Sequence, residues 1–253
     1  MLLYPLLADN IILYFLTFWE KSSKVYNCEK KRRNDTVMNK DKETRRIHYA
    51  MAVMGGFFGG FAILMHHNLM SNAQTSNMMS LVIGILGRNS WQVLLHAGSL
   101  VIYILGLSLT VLLPRYTKWN LPICSVVLDG LALVAIALMP EGTDDFVAMY
   151  PTFFAMAFQW NTFTGADGYV SSTIFSTNNL RQFTTSMVGY LCDRERHHLH
   201  KASFFGGTLL FFHVGVAVAF FSTQLLGTKG GFCGFIPLLP PMILIRQECR
   251  KCR

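Results

Sequence analysis

The sequence predicts an all-α fold, a polytopic transmembrane helical bundle of about six net crossings. It further predicts an inverted repeat of three plus three with broken first helices. Three observations carry this. Hydrophobic residues make up 52% of the 253 and charged residues only 14%, against about 25% charged in an ordinary soluble domain. Mean hydropathy is +0.35, concentrated in long apolar runs. Basic residues fall between and beyond those runs, where positive-inside loops place them. Finally, two polar, Asn-bearing segments interrupt apolar stretches 101 residues apart (Asn77 and Asn178, for example). A polar break at matching places in two halves points to a transporter-like site.

Residues 1–47 read as a basic N-terminal extension. Leu2–Trp19 is apolar but carries Pro5, Asp9 and Asn10, which makes it a marginal span where roughly 20 clean residues are wanted. Lys30-Lys31-Arg32-Arg33 follows, and Met38 opens Met-Asn-Lys-Asp-Lys-Glu-Thr-Arg-Arg. The expectation is that Met38 is the natural start; an extra peripheral helix is the alternative. The transmembrane domain then covers 48–245, in halves of about 48–140 and 146–245, and 246–253 form a basic cytoplasmic tail.

The apolar segments are Tyr49–Asn68, Ala73–Gly87, Trp91–Leu113, Leu121–Met139, Phe146–Phe163, Val170–Leu191, Ala202–Leu226 and Gly231–Ile245. Trp91, Trp119 and Tyr150 sit near segment ends, as interfacial aromatics do. Putting Arg45-Arg46, Arg115/Lys118, Arg194–Lys201 and the tail in the cytoplasm fixes the traffic. Tyr49–Gly87 then makes one net crossing, and so does Phe146–Leu191. Each half has three crossings, so the halves are oppositely oriented. Arg88 dissents, and eight full crossings is the competing count. Identity at the 101-residue spacing is sparse: Phe57/Phe158, His96/His197 and Gly106/Gly207 are among the few.

The breaks supply the candidate site. In the first, Asn72, Gln74, Thr75 and Asn77 offer hydroxyl and amide groups, and Asn72 or Ser71 is placed to cap the helix that follows. In the second, Gln159 and Asn161 precede the break, and Asn178 and Arg181 follow it. Amides donate and accept, which suits a neutral or zwitterionic solute; Arg181 suits a carboxylate or phosphate, or snorkels to the interface. Asp129 is the one acid in the middle of a clear span, so it is the candidate for a coupling ion. Asp167, in Gly165-Ala-Asp-Gly168, reads as a cation ligand or a turn residue. The glycines of Gly55-Gly56-Phe57-Phe58-Gly59-Gly60 read as helix-packing residues or as a bend.

Other chemistry is weakly signalled. His66-His67 and His197-His198-Leu-His200 sit at segment ends and read as surface loops rather than ligand sets. Cys249-x-x-Cys252 has no second pair. No metal and no cofactor is expected. No catalytic motif is present, so an enzyme is not the expectation, and no basic-aromatic pattern points to nucleic acid. The expected partners are the lipid bilayer and a small polar solute, and a homo-oligomer is compatible with the sequence.

Taken together, Gly55-Gly56-Phe57-Phe58 and Asn72-Ala73-Gln74-Thr75-Ser76-Asn77 resemble the Gly-Gly-Phe … Asn-Ala-Gln-Thr-Gly-Asn signature of the bacterial YoaK-like, DUF1275-type (UPF0700) membrane proteins. Phe158-Gln159-Trp160-Asn161 and Ser176-Thr177-Asn178-Asn179-Leu180-Arg181 resemble that family's second-half elements. Ser76 departs from the family glycine, and Gly59 stands where many members carry an acid. The resemblance implies a plasma-membrane protein of about six helices and supplies no substrate. The functional expectation is a small polar-solute transporter or permease in a bacterial plasma membrane, with both termini cytoplasmic. The alternative is a non-transporting scaffold or stress-related partner protein.

Overall fold

The computed structural model describes residues 37–251 apart from 67–69, 71 and 141. The reading of residues 1–36, and with it most of the N-terminal extension, lies outside the described residues, as do Ser71, His67 and Cys252. The fold is all-α. In chain order the helices are α1 (Val37–Met65), α2 (Thr75–Leu86), α3 (Ser90–Tyr116), α4 (Leu121–Ala137), α5 (Asp145–Thr162), α6 (Thr177–Asp193), α7 (Arg196–Leu226) and α8 (Phe235–Lys251). A 3-10 segment, Gly227–Gly234, joins the last two, and a two-stranded hairpin, β1 (Gly165–Ala166) with β2 (Tyr169–Val170), follows α5. Helix α1 reaches back from the apolar run through the charged residues to Val37. Local chemistry marks several starts: the side chains of Asn89, Asn120 and Asp144 cap α3, α4 and α5 by accepting backbone N–H bonds.

Three helical stretches are long and apolar enough to cross a membrane: Lys42–Met65, Ser90–Tyr116 and Arg196–Arg250. Their surroundings differ. The α1 span is 78% buried inside the protein, against 22% for the α3 span, so α1 is central while α3 keeps most of its apolar surface for lipid. The core lies along α1 and α5, where Met51, Met54, Phe57, Phe58 and Phe61 meet Met149, Phe153 and Met156, all at most 1% exposed.

Contacts fix the helix directions. Gly207 of α7 lies against the Tyr49 hydroxyl of α1, Gly215 against the Val53 carbonyl, and Gly60 against Val216 and Ala219, so α1 and α7 run parallel. In the other half Gly98 of α3 lies against the Tyr150 hydroxyl of α5, and Gly106 against the Phe154 carbonyl; these two also run parallel. Between α1 and α5 the order reverses. Arg45 pairs with Asp167 just beyond α5, Met51 accepts from Gln159, and His66 pairs with Asp145. Helices α1 and α5 are therefore antiparallel. Gly84 against Val93 shows α2 antiparallel to α3, and Gly206 against Phe183 with Gly189 against His198 shows α6 antiparallel to α7. It follows that α2 continues in the direction of α1, and α6 in that of α5. Each half opens with one interrupted helix, and α1, α2 and α3 run opposite to α5, α6 and α7, respectively.

The equivalence extends to hydrogen bonds. Tyr49 donates to the Phe204 carbonyl at 3.2 Å, and Tyr150, 101 residues later, donates to the Leu95 carbonyl at 3.1 Å. The mates on α3 and α7 stand 109 apart: Leu95 with Phe204, Gly98 with Gly207, and Gly106 with Gly215. This corrects the pairings Gly106/Gly207 and His96/His197, while Phe57/Phe158 keeps the spacing of 101. The two half-helices start 102 apart, at Thr75 and Thr177, which sets the buried Asn77 against the buried Asn179 in place of Asn178. Tyr150 is likewise a helix-packing residue in place of an interfacial one. The shift comes partly from α6 having 17 residues against 12 in α2. The Tyr49→Phe and Tyr150→Phe variants should each lose about 1 kcal/mol, the net worth of one hydrogen bond. The two losses should add, because the sites are remote from one another. Denaturant titration of the purified protein reads both values and their sum.

Candidate functional site

The first break runs from His66 to Gln74 and the second from Phe163 to Ser176. Polar side chains knit them together. Asn72, 2% exposed, donates through Nδ2 to the Gly55 carbonyl of α1 at 2.9 Å and to the Ile174 carbonyl of the second break at 3.0 Å. Gly59 lacks a side chain where Asn72 approaches α1, which gives that glycine a close-contact role. Gln159, fully buried, donates to the Met51 carbonyl at 3.0 Å and to Thr173 Oγ1 at 2.9 Å. His48 Nε2 lies 3.0 Å from Ser171 Oγ, which donates to Asn179 Oδ1; Asn179 Nδ2 in turn donates to the Ser172 and Phe175 carbonyls. Irregular backbone at this depth loses its helical partners, and these amides replace them.

The hairpin inside the second break has a two-residue turn, Asp167-Gly168, with φ of 54° and 76°. Positive φ at both positions is what an Asp-Gly hairpin turn accommodates. Asp167 thus is a turn residue, and it forms an ion pair with Arg45 at 3.1 Å. That contact is a charge pairing without the alignment of a hydrogen bond, since Oδ2 has no hydrogen-bond partner.

Both breaks open onto one cavity of about 710 Å³. Its polar lining is Gln74 and Thr75 at the start of α2, and Thr177, Asn178 and Arg181 at the start of α6. Its apolar lining comes from Ala73 and Met78, from Leu100, Tyr103, Ile104 and Leu107 of α3, and from Trp160 and Phe175. Since α2 and α6 run in opposite directions, the two half-helices meet here head to head. Neither has a side-chain cap: the residues before them, Gln74 and Ser176, make no cap hydrogen bond. Capping of α2 by Asn72 is therefore not what the structure has, because Asn72 is turned toward α1 and the second break.

The sequence candidates divide. Gln74, Thr75, Asn178 and Arg181 line the cavity. Asn72 and Gln159 bind the breaks to α1. Asn77, 3% exposed, donates to Gln74 Oε1 at 3.2 Å and so holds that amide in place. Asn161 donates to Thr110 Oγ1 of α3 at 2.6 Å. Asp129 lies apart: it is fully buried on α4, both oxygens lack partners, and it is not in the cavity lining. The α3 wall and Phe175 are absent from the sequence-derived set. Trp160 is the one wall aromatic that the sequence motifs named, within Phe158-Gln159-Trp160-Asn161. The sequence reading of His197-His198-Leu-His200 as a surface loop is corrected, since all three histidines lie in the first turns of α7. There, ligand atoms of Glu195, His197 and His198 lie within 4.8 Å of one another, and His198 pairs with Asp193 at 3.1 Å.

Fold and cavity together define a polytopic α-helical membrane protein built of two inverted units around a shared pocket. The chain belongs to the family described as "Protein of unknown function (DUF1275)", whose model matches residues 47–244. No curated protein and no solved structure matches it.

Proposed function

We propose that this protein is a small polar-solute transporter or permease that works by alternating access, and not an enzyme. One observation supports the reading above others: two interrupted helices of opposite direction bring their polar ends to a single cavity. Broken helices at the interface of inverted repeats form the substrate sites of many carriers. On this reading α1–α2 and α5–α6 each cross once, giving six crossings in a bacterial plasma membrane. The basic loops and both termini are cytoplasmic. Rocking of α1 with its partner α7 against α5 with its partner α3 would expose the cavity to one side and then the other.

The test needs no known substrate. Thr75→Cys and Asn178→Cys are labelled with a membrane-impermeant maleimide, applied to right-side-out and to inside-out vesicles, and peptide mass mapping separates them from exposed Cys192. Both positions should label from both sides. Labelling from one side only, under every condition, would remove the carrier reading and leave a scaffold.

A further inference from the structure

We propose that the cavity selects a small organic anion with an apolar body, a monocarboxylate being the simplest example; this rests on the carrier reading above and names its substrate class. Apart from the hydroxyls of Thr75, Thr177 and Tyr103, which can both donate and accept, the polar side chains lining the cavity have their acceptors in use and donors to spare. Gln74 is 8% exposed; its Oε1 accepts from Asn77, and its Nε2 is buried with no hydrogen-bond partner. Asn178 Oδ1 accepts from Arg181 Nη2 at 2.9 Å, so the acceptor of that amide is in use too. An arginine offers N–H donors only and never loses its charge. The first turns of α2 and α6 both line the cavity, and the residue before each of these helices makes no side-chain cap hydrogen bond. Each N-terminus carries a partial positive charge. Among the described lining residues none is Asp or Glu. An anion supplies what this arrangement lacks, namely acceptors and negative charge.

The remainder of the wall describes the rest of the ligand. Tyr103, Trp160 and Phe175 stand over the donors, with Trp160 and Phe175 edge to face at 5.1 Å. Met78, Ile104 and Trp160 are 46%, 51% and 37% exposed, so the mouth is apolar as well. A bare inorganic ion gains nothing from such walls, whereas an aryl or branched alkyl chain is desolvated by them.

The probes are phenylacetate, its neutral isostere phenylacetamide, and inorganic phosphate. They are titrated into the purified full chain in phosphatidylcholine nanodiscs, with thermal shift and tryptophan fluorescence as readouts. Phenylacetate should half-saturate at a concentration about tenfold or more below the other two, the scale of a charge-assisted contact. Arg181→Gln should erase its preference over the amide, and Arg181→Lys should keep part of it. Equal response to acid and amide in the wild type overturns the anion, and so does a preference that survives Arg181→Gln. Equal response to phosphate and phenylacetate overturns the apolar body. The same anion chemistry is offered by a lipid headgroup, so the titration is repeated with phosphatidylglycerol. Competition by that lipid upholds the anion site and assigns it to lipid; no competition assigns it to a free solute. Phenylacetate binding without flux in proteoliposomes removes the carrier and keeps this site, whereas carriage of a neutral solute without anion binding does the reverse.

Discussion

Replacing Gly56 by leucine should sharply lower the stability and the yield of folded protein. Any Cβ at Gly56 falls on the backbone carbonyl of Phe212 in α7, and across the same crossing a Cβ at Gly215 falls on that of Val53. Backbone cannot rotate away as a side-chain tip can, so helices α1 and α7 would have to separate along the most buried of the three candidate spans. Overpacking commonly costs about 1–3 kcal/mol, occasionally more, and this site is at the upper end because the obstacle is main chain on both helices. A loss of about 3 kcal/mol is more than a hundredfold in the folding equilibrium. Monodisperse yield in detergent, read by fluorescence-detected size exclusion, should collapse for Gly56→Leu and for Gly215→Leu. The control is Gly142→Asn. There the backbone has φ +84° and nothing lies within 4 Å, and asparagine tolerates that conformation. Normal yield from Gly56→Leu would mean that α1 and α7 do not cross as described.

The second large effect belongs to Asn72→Asp. The substitution keeps size and shape but exchanges the Nδ2 donor for a carboxylate oxygen facing two carbonyl oxygens, those of Gly55 and Ile174. Each buried carbonyl deprived of its donor costs about 1–3 kcal/mol, and an unpaired buried charge adds to that. The expected order of stability is wild type, then Asn72→Ala, then Asn72→Asp. An alanine forfeits the bonds, whereas an aspartate replaces attraction with repulsion. The loss should be accompanied by loss of any ligand response, since Asn72 holds the two breaks together while lying outside the cavity lining. Thermal unfolding of the three proteins side by side decides it; an aspartate variant as stable as wild type would remove the cross-link.

Much of this architecture was legible from the residues. Low charge and long apolar runs gave the class, and placement of Arg and Lys gave the inversion, because both act through solvation, which is local. The polar breaks were legible for the same reason. The roles of individual amides were not. Asn72, Gln159 and Asn178 are the same kind of residue in the same kind of segment, yet two serve the backbone and one faces the cavity. That division depends on which carbonyls arrive from α1 and from the other break, and no local pattern encodes it. The cavity wall on α3 was invisible because Leu100, Tyr103 and Leu107 sit in an apolar run where every residue looks equally suited to lipid. The second pairing of the repeat was hidden by arithmetic alone. The longer α6 displaces α7, so a comparison at one fixed spacing matches α1 with α5 and misaligns α3 with α7.

The crosswise packing also dictates an order of events during synthesis. The main partners of α1 are α7, α8 and the elements around α5, and none of its own neighbours in the first half stands among them. When the first half has left the ribosome, α1 still presents a glycine face that only residues near 204–219 can fill. It must wait in the lipid or beside the insertion machinery until the chain is nearly finished. Neither half can then mature by itself, and a chain truncated before α7 should be recognised and degraded as incomplete rather than accumulate as a half-sized domain.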